Sequence, residues 1–304
     1  MLTKSKSFIV FAVILFTACT NPAEKFLASG DQKAESGDYK AAITDFNEAI
    51  RLDTFMTEAY TSRGNARLKL KDYKAAIRDF NRVIDLEPEN PSGFFNRAMA
   101  FHESGNYQRA INDYSKALTI RPTYTQAYFN RGNSKSYMKD FKGAIEDYSK
   151  AIDLDPNYVD AFYNRGLARC NTGEFEIAVT DFNKALALKP EYFEALVNRG
   201  AARYRLGDFQ GAISDYDQVI RLDPENEAAC MNRGAAKGKM KDYQGAIDDF
   251  TRLITRNPKN ASALNNRALM RKESGDLKGA CEDWEKAMNL GNGNARENFL
   301  KNCK

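Results

Sequence analysis

The sequence predicts an all-α fold, because residues of three kinds recur along it with one fixed period. Prolines stand one period apart at Pro88, Pro122, Pro156, Pro190, Pro224 and Pro258. Alanines keep the same period at Ala42, Ala76, Ala110, Ala144, Ala178, Ala212, Ala246 and Ala280. A large aromatic residue follows each alanine, at Phe46, Phe80, Tyr114, Tyr148, Phe182, Tyr216, Phe250 and Trp284. We therefore expect one stacked array of similar units and not two globular domains.

Each unit is predicted to contain two helices, A and B, joined by a turn. A small residue of helix A, such as Gly64 or Gly132, marks the place where helix B approaches closely. The alanine of helix B faces it, because a larger side chain there would overpack the crossing. Ile84 and Leu86 follow Ala76 at helical spacing and give helix B a buried stripe. Proline then ends helix B, because its ring is incompatible with a helix interior.

The pattern resembles the tetratricopeptide repeat, a helix-turn-helix unit of this same period, over residues 23–294. The resemblance implies an α-solenoid of right-handed twist with eight repeats. Their ranges are 23–56, 57–90, 91–124, 125–158, 159–192, 193–226, 227–260 and 261–294. The terminal repeats depart from the pattern, as end caps do in repeat proteins, with Thr54 in place of the first proline and Gly291-Asn292-Gly293 in place of the last.

The C-terminal end is predicted to be closed by a short helix. Residues 295–304 form this capping helix, with Phe299 and Leu300 over the last core. Cys281 lies early in the last helix B and Cys303 lies in the cap. Either a disulfide joins the two cysteines, or they remain two small buried thiols.

The N-terminus is predicted to be a targeting segment outside the fold. Residues 1–18 carry Lys4 and Lys6 before an apolar run from Phe8 to Ala18, which is typical of a signal peptide and too short to cross a bilayer as a helix. Small residues before Cys19 resemble a bacterial lipobox. The resemblance implies a lipidated Cys19, a tether over residues 19–22 and a position on the outer membrane facing the periplasm. The alternative is an ordinary cleaved signal in which Cys19 has no role.

The composition does not favour an enzyme. His102 is the single histidine of the 304 residues, whereas most zinc sites and hydrolytic triads use at least one imidazole. No catalytic, metal or cofactor site is predicted. Loss of Lys4 and Lys6 with the leader lowers the formal charge from +4 to +2, which does not favour a nucleic-acid partner.

An arginine recurs in helix A of seven repeats, and an aspartate recurs in helix B of all eight. The arginines are Arg63, Arg97, Arg131, Arg165, Arg199, Arg233 and Arg267, and the aspartates are Asp45, Asp79, Asp113, Asp147, Asp181, Asp215, Asp249 and Asp283. The arginines alone would suggest a groove for polyanions. The matched aspartates favour ion pairs between the helices instead, because a half-buried arginine needs a partner.

The A helices of tetratricopeptide repeats line a concave surface that binds peptides, so the resemblance implies a binding groove here. The sixth helix A position forms an asparagine ladder: Asn96, Asn130, Asn164, Asn198, Asn232 and Asn266. It is similar to the ladder of the eukaryotic O-linked N-acetylglucosamine transferase. Each carboxamide offers a donor and an acceptor to an extended peptide. The alternative is that these asparagines pair with water or with a neighbouring helix.

The middle of the same groove carries an aromatic cluster. Phe95, Phe129 and Tyr163 occupy the fifth position of repeats three to five, and His102 and Tyr137 lie near the ends of the same helices. Such residues suit binding hot spots. The alternative is that some of them pack between adjacent A helices.

Taken as a whole, the sequence predicts a membrane-anchored scaffold or adaptor that binds extended peptide segments or partner proteins in its groove, in envelope assembly or maintenance. The alternative is a lipoprotein that binds glycans or peptides. The sequence leaves the partner and the oligomeric state open.

Overall fold

The structure, a computed structural model, describes residues 21–303, which form seventeen α-helices and no strand. The helices fall into two compact units, and the chain passes from one to the other between Ile120 and Arg121. Unit 1 contains α1 (Pro22–Glu35), α2 (Tyr39–Leu52), α3 (Thr57–Lys69), α4 (Tyr73–Leu86), α5 (Pro91–Glu103) and α6 (Tyr107–Ile120). Unit 2 contains α7 (Thr125–Tyr137), α8 (Phe141–Leu154), α9 (Val159–Thr172), α10 (Phe175–Leu188), α11 (Phe193–Arg205), α12 (Phe209–Leu222), α13 (Glu227–Lys239), α14 (Tyr243–Arg256), α15 (Ala261–Glu273), α16 (Leu277–Asn289) and α17 (Gly293–Asn302).

The first sixteen helices alternate between A and B. The fold is the predicted all-α solenoid of helix-turn-helix repeats. Most B helices begin after an aspartate whose carboxylate accepts a hydrogen bond from a free N–H of the first turn, as Asp38 does from Ala41. The turn before it contains one residue with positive φ, which is glycine in five repeats and Lys71, Lys139 and Lys241 in the others. Glycine adopts this conformation without strain, whereas the three lysines adopt it at φ of 60–64°.

The predicted contact between helices A and B is confirmed. The recurring alanines of helix B are completely buried, and the aromatic residues four positions later are at most 2% exposed. A Cβ atom added to Gly64 would lie 2.6 Å from the Phe80 ring, and one added to Gly200 would lie 2.7 Å from the Tyr216 ring. The helix A glycines therefore leave the space that the aromatic rings of helix B fill.

The C-terminal cap differs in detail from the prediction. Its helix begins at Gly293, two residues before the expected start at 295, because Asn292 caps it through the N–H of Ala295. Ala295 and Phe299 pack against the core around Trp284. The placement of Leu300 over this core was wrong: its side chain is 57% exposed, because it lies one position beyond the face that Ala295 and Phe299 share.

A disulfide joins this cap to the last helix B. Cys281 and Cys303 are bonded, with their Cα atoms 5.7 Å apart. Of the other cysteines that the structure describes, Cys170 and Cys230 are free thiols. The signal peptide and Cys19 lie outside the described residues. Among residues 21–303, no helix combines the length and apolar character needed to cross a membrane.

Candidate functional site

The arginines and aspartates of the repeats form ion pairs inside each repeat, as the matched columns predicted. Each arginine lies 2.5–2.8 Å from the aspartate sixteen residues later. The aspartates are at most 8% exposed. In every repeat except the third, a lysine or arginine four residues after the arginine position also contacts the aspartate, at 2.6–2.9 Å. We call this set of one aspartate and its cations the seam.

The arginine of the seam also reaches the preceding repeat. Nη1 of Arg63 donates to Asn47, Nη1 of Arg165 donates to the hydroxyl of Ser149, and Nη1 of Arg233 contacts the Asp217 carboxylate at 2.6 Å. One guanidinium therefore holds two helices of its own repeat and one of its neighbour, which its planar fork of donors allows. These arginines serve the fold, and their donors are not directed at a polyanion.

The asparagine ladder is not uniform. Asn198 donates to the hydroxyl of Tyr163 at 3.1 Å and to the carbonyl of Glu194 at 2.7 Å, so both of its N–H groups are used. Asn164 donates to Asn133 at 3.3 Å, and Asn266 contacts the sulfur of Met231 at 3.4 Å. Asn96, Asn130 and Asn232 make no side-chain hydrogen bond to another described residue. A bidentate contact with a peptide is therefore open to Asn232 but not to Asn198.

The fifth-position aromatic residues pack within the repeats. Phe95 lies with its ring 5.6 Å from that of Tyr114. Phe129 packs between Tyr148 and Tyr158, at ring distances of 5.8 and 4.8 Å. In the next repeat, the ring of Tyr163 packs between two further rings at 6.0 and 4.7 Å. These half-buried rings close the side of the core, which leaves little of their faces for a ligand.

His102 and Tyr137 occupy different environments. The His102 ring is half-buried and meets the Tyr107 ring edge to face at 5.2 Å. Burial lowers the pKa of His102, against the opposing charge of Glu103. Tyr137 is 64% exposed at the end of α7. In the residues that the structure describes, no group of histidine, cysteine and acidic side chains could hold a metal ion.

A hollow of unit 2 lies on the faces of three successive A helices. Its volume is about 770 Å³, and α9, α11 and α13 contribute its walls. Lining residues include Cys170, Asn171, Phe175, Asn198, Ala201, Tyr204, Arg205, Asn232 and Ala235, with Tyr216 at the floor. A second hollow of about 340 Å³ shares Tyr204 and Ala235 and continues onto α15. We call the two hollows together the A-face groove.

The groove exists because two neighbouring repeats carry a small residue at the ninth helix A position. Ala201 and Ala235 stand there, where Leu167 and Leu269 stand in the repeats on either side. Each leucine would fill the space that the alanine leaves open. Large residues at this position, such as Leu167, were predicted to line the groove, but Ala201 and Ala235 were not. Two adjacent alanines in a column of larger residues were the signal.

The walls of the groove offer mixed polar and aromatic contacts. The Arg205 guanidinium lies 5.0 Å from the Phe175 ring centroid, and the Tyr204 ring meets the Phe209 ring at 5.3 Å. Burial raises the pKa of the Cys170 thiol to about 11, so this thiol stays protonated at neutral pH. The groove is therefore equipped to bind through hydrogen bonds and apolar contact.

Models of the tetratricopeptide repeat match most of the chain. They cover residues 57–90, 98–135, 137–173, 163–227 and 232–294. The chain is a tetratricopeptide-repeat protein. No curated protein matches its sequence.

Solved structures with this fold agree with the assignment. A tetratricopeptide-repeat protein from Parabacteroides merdae is 18% identical with a TM-score of 0.59, over 82% of this chain and 98% of its own. PilW, a type IV pilus biogenesis factor, is 18% identical with a TM-score of 0.61, over 68% of this chain and 96% of its own. MamA from Desulfovibrio magneticus is 20% identical with a TM-score of 0.53, over 57% and 97%. At these identities the likeness shows the fold of this tetratricopeptide-repeat protein.

Proposed function

We propose that this protein is a membrane-anchored interaction scaffold that binds extended peptide segments of partner proteins in the A-face groove. Its role would lie in the assembly or maintenance of the cell envelope. The proposal combines two parts that can fail separately: peptide binding in unit 2, and anchoring through Cys19.

The observation that carries the first part is the shape and lining of the A-face groove. A hollow of about 770 Å³ is large enough for several side chains of an extended peptide. The free amide of Asn232 can pair with a peptide group, the carbonyl oxygen of Asn198 can accept a hydrogen bond, and Tyr204 offers an aromatic contact. Backbone hydrogen bonds and side-chain pockets are the two requirements of peptide recognition.

Peptide binding is favoured over glycan binding by the packing of the aromatic residues. A sugar ring needs an open aromatic face, but the rings of Phe129 and Tyr163 each pack between two other rings. Of the aromatic residues that line the groove, Phe175 is covered by the Arg205 guanidinium, and the Tyr204 ring meets the Phe209 ring at 5.3 Å. Glycan binding is kept as an outcome of the test below.

The test fills the groove with side chains that the repeat already uses. Peptides of about twelve residues are first selected on the purified full chain from a display library, and their affinities are then measured by fluorescence anisotropy. The double variant Ala201→Leu, Ala235→Leu carries at both positions the residue found at 167 and 269. It should fold normally and bind the selected peptides about tenfold more weakly or worse, because the leucines occupy the hollow.

The control is Asn65→Leu, which introduces the same side chain at the same helix A position in unit 1. It should leave the affinity unchanged. Unchanged affinity of the double variant would exclude the groove as the site. Failure to select peptides, together with oligosaccharide binding that the double variant abolishes, would replace the peptide by a glycan.

The anchoring part is tested in bacterial cells that express the full chain. A palmitate analogue should label the wild-type chain and not the Cys19→Ala variant, because the acyl chains are attached at this residue. The control is Cys170→Ala, which should keep the label. Label retained in Cys19→Ala would contradict the anchor and leave the peptide groove untouched.

A further inference from the structure

Unit 1 contains a hollow of a different chemistry from the A-face groove. It has a volume of about 700 Å³ and lies between the first turns of α4 and the end of the next repeat's A helix. Ile77 and Phe101 form apolar walls. Four cationic residues also line it: Lys71, Lys74, Arg78 and Arg109. We call it the basic pocket.

Three of the pocket residues depart from the repeat pattern at the positions they occupy. Phe101 stands where every other repeat has the second cation of the seam: Lys33, Arg67, Lys135, Arg169, Arg203, Lys237 and Arg271. Arg78 stands in a column that otherwise has no basic residue: Thr44, Asn112, Glu146, Thr180, Ser214, Asp248 and Glu282. Arg109 stands in a column that is otherwise small or aliphatic: Ala41, Ala75, Gly143, Ile177, Gly211, Gly245 and Gly279.

The fold does not require these three changes. The other repeats form the same helices and the same turn with the ordinary residues. Substitution of the seam cation by Phe101 leaves Asp113 with Arg97 as its cationic partner among the described residues. Departures from a repeated scaffold that converge on one cavity indicate a binding surface, because the scaffold positions serve stability.

The charges of the basic pocket are not neutralised within the protein. None of its four cationic side chains forms an ion pair or a hydrogen bond with another residue that the structure describes. The Arg109 guanidinium lies 5.6 Å from the Phe101 ring centroid and extends the aromatic wall. Asp72 is the one acidic residue among those lining the pocket, and its carboxylate accepts the Ala75 N–H.

We propose that the basic pocket binds an acidic peptide segment that places one apolar side chain between its carboxylates. Four cations match several carboxylates, and the walls at Ile77 and Phe101 match the apolar side chain. A nucleic-acid backbone or an anionic bilayer would use the cations but would leave these apolar walls without a function. The occupant is not a segment of this chain outside the structure, since residues 1–20 and 304 contain no Asp or Glu.

The test uses a fluorescein-labelled octapeptide of alternating Asp and Glu with one central Phe, and the purified full chain. Binding is measured by fluorescence anisotropy at low and at physiological salt. Two matched peptides replace all acids by their amides, or the central Phe by Ala. We expect binding by the acidic Phe peptide, about tenfold weaker binding by the Ala peptide, and no measurable binding by the amide peptide.

The two substitutions that remove charge from the pocket take their residues from the same columns of other repeats, so that the fold is preserved. Arg78→Thr with Arg109→Ala should weaken binding of the acidic Phe peptide about tenfold or more. The control, Lys184→Thr with Arg221→Ala, removes the same charge from exposed positions of unit 2 and should bind normally. Phe101→Ala should abolish the preference for Phe over Ala in the peptide.

Three results would overturn the proposal. The pocket variant could bind the acidic peptide as tightly as the control does. The amide peptide could bind as well as the acidic one. A poly-dT oligonucleotide or phosphatidylglycerol vesicles could bind in a manner that depends on Arg78 and Arg109 while the acidic peptide does not. None of these results bears on the A-face groove, which shares no residue with the pocket.

Discussion

The seam and the two cavities differ in how faithfully they follow the repeat. The seam aspartate and its arginine recur from repeat to repeat at fixed positions, and the charges are buried and paired with one another. The A-face groove and the basic pocket arise where the repeat changes, at Ala201 and Ala235 in one case and at Phe101 in the other. Regular positions therefore maintain the stack, while irregular positions create surfaces that a ligand can use.

The largest effect on stability is expected when a seam charge is removed. Asp215→Ala should lower the free energy of unfolding by about 3–5 kcal/mol, because it leaves Arg199 and Arg203 half-buried without their carboxylate. Urea unfolding followed by circular dichroism measures the shift. Asp217→Ala is the matched control: its side chain is 39% exposed, so it should cost at most about 1 kcal/mol. Equal shifts would show that the seam is not a special source of stability.

The second change concerns the C-terminal cap, where α17 packs against the core around Trp284. Cys303→Ser should destabilise the C-terminal repeat by about 2–4 kcal/mol, because the disulfide closes a loop of 22 residues. Hydrogen exchange of α16 and α17 measures the local loss. Reductant should reproduce the effect in the wild type and have none in the variant. If the reductant left hydrogen exchange of α16 and α17 unchanged in the wild type, the disulfide would not stabilise this repeat.

The third change separates two members of a regular column. Asn198→Ala should cost about 1 kcal/mol, because Tyr163 and Glu194 lose a hydrogen-bond partner. Asn232→Ala should cost close to nothing, because its amide has no partner among the described residues. Thermal unfolding of the two variants side by side makes the measurement. A larger loss of stability in Asn232→Ala than in Asn198→Ala would mean that Asn232, and not Asn198, is the structural asparagine.

The smallest effect is expected where an irregular position is made regular. Phe101→Lys restores the second seam cation, which Asp147 receives from Lys135 in the next repeat. It should raise the free energy of unfolding by at most about 1 kcal/mol, because the new pair forms at a partly exposed site. Urea unfolding measures this gain. The same variant should also lose its preference for the acidic Phe peptide over the Ala peptide. A clear loss of stability would mean that Phe101 serves the core.

The sequence was sufficient to predict the repeat and many of its buried contacts. The glycine, alanine and aromatic columns predicted the A–B contact, and the matched Arg and Asp columns predicted the ion pairs. Leu300 was misplaced, because a short helix near the chain end has too few residues to show which face is buried. Phe95, Phe129 and Tyr163 were predicted as contact residues because they are large. The A-face groove instead lies beside small residues, Ala201 and Ala235.

Periodicity by itself determined the all-α repeat fold, because identical units must bury identical faces and this requirement is written into every repeat. The three-dimensional structure alone decided how the polar columns are used. Asn198 and Asn232 are the same residue at the same position, yet one has both N–H groups occupied and the other has none. One partner of Asn198, the hydroxyl of Tyr163, lies 35 residues earlier, whereas Val197 stands at the equivalent place before Asn232. The joining of Cys281 to Cys303 was also decided there, because a disulfide depends on a Cα separation that residue spacing does not define.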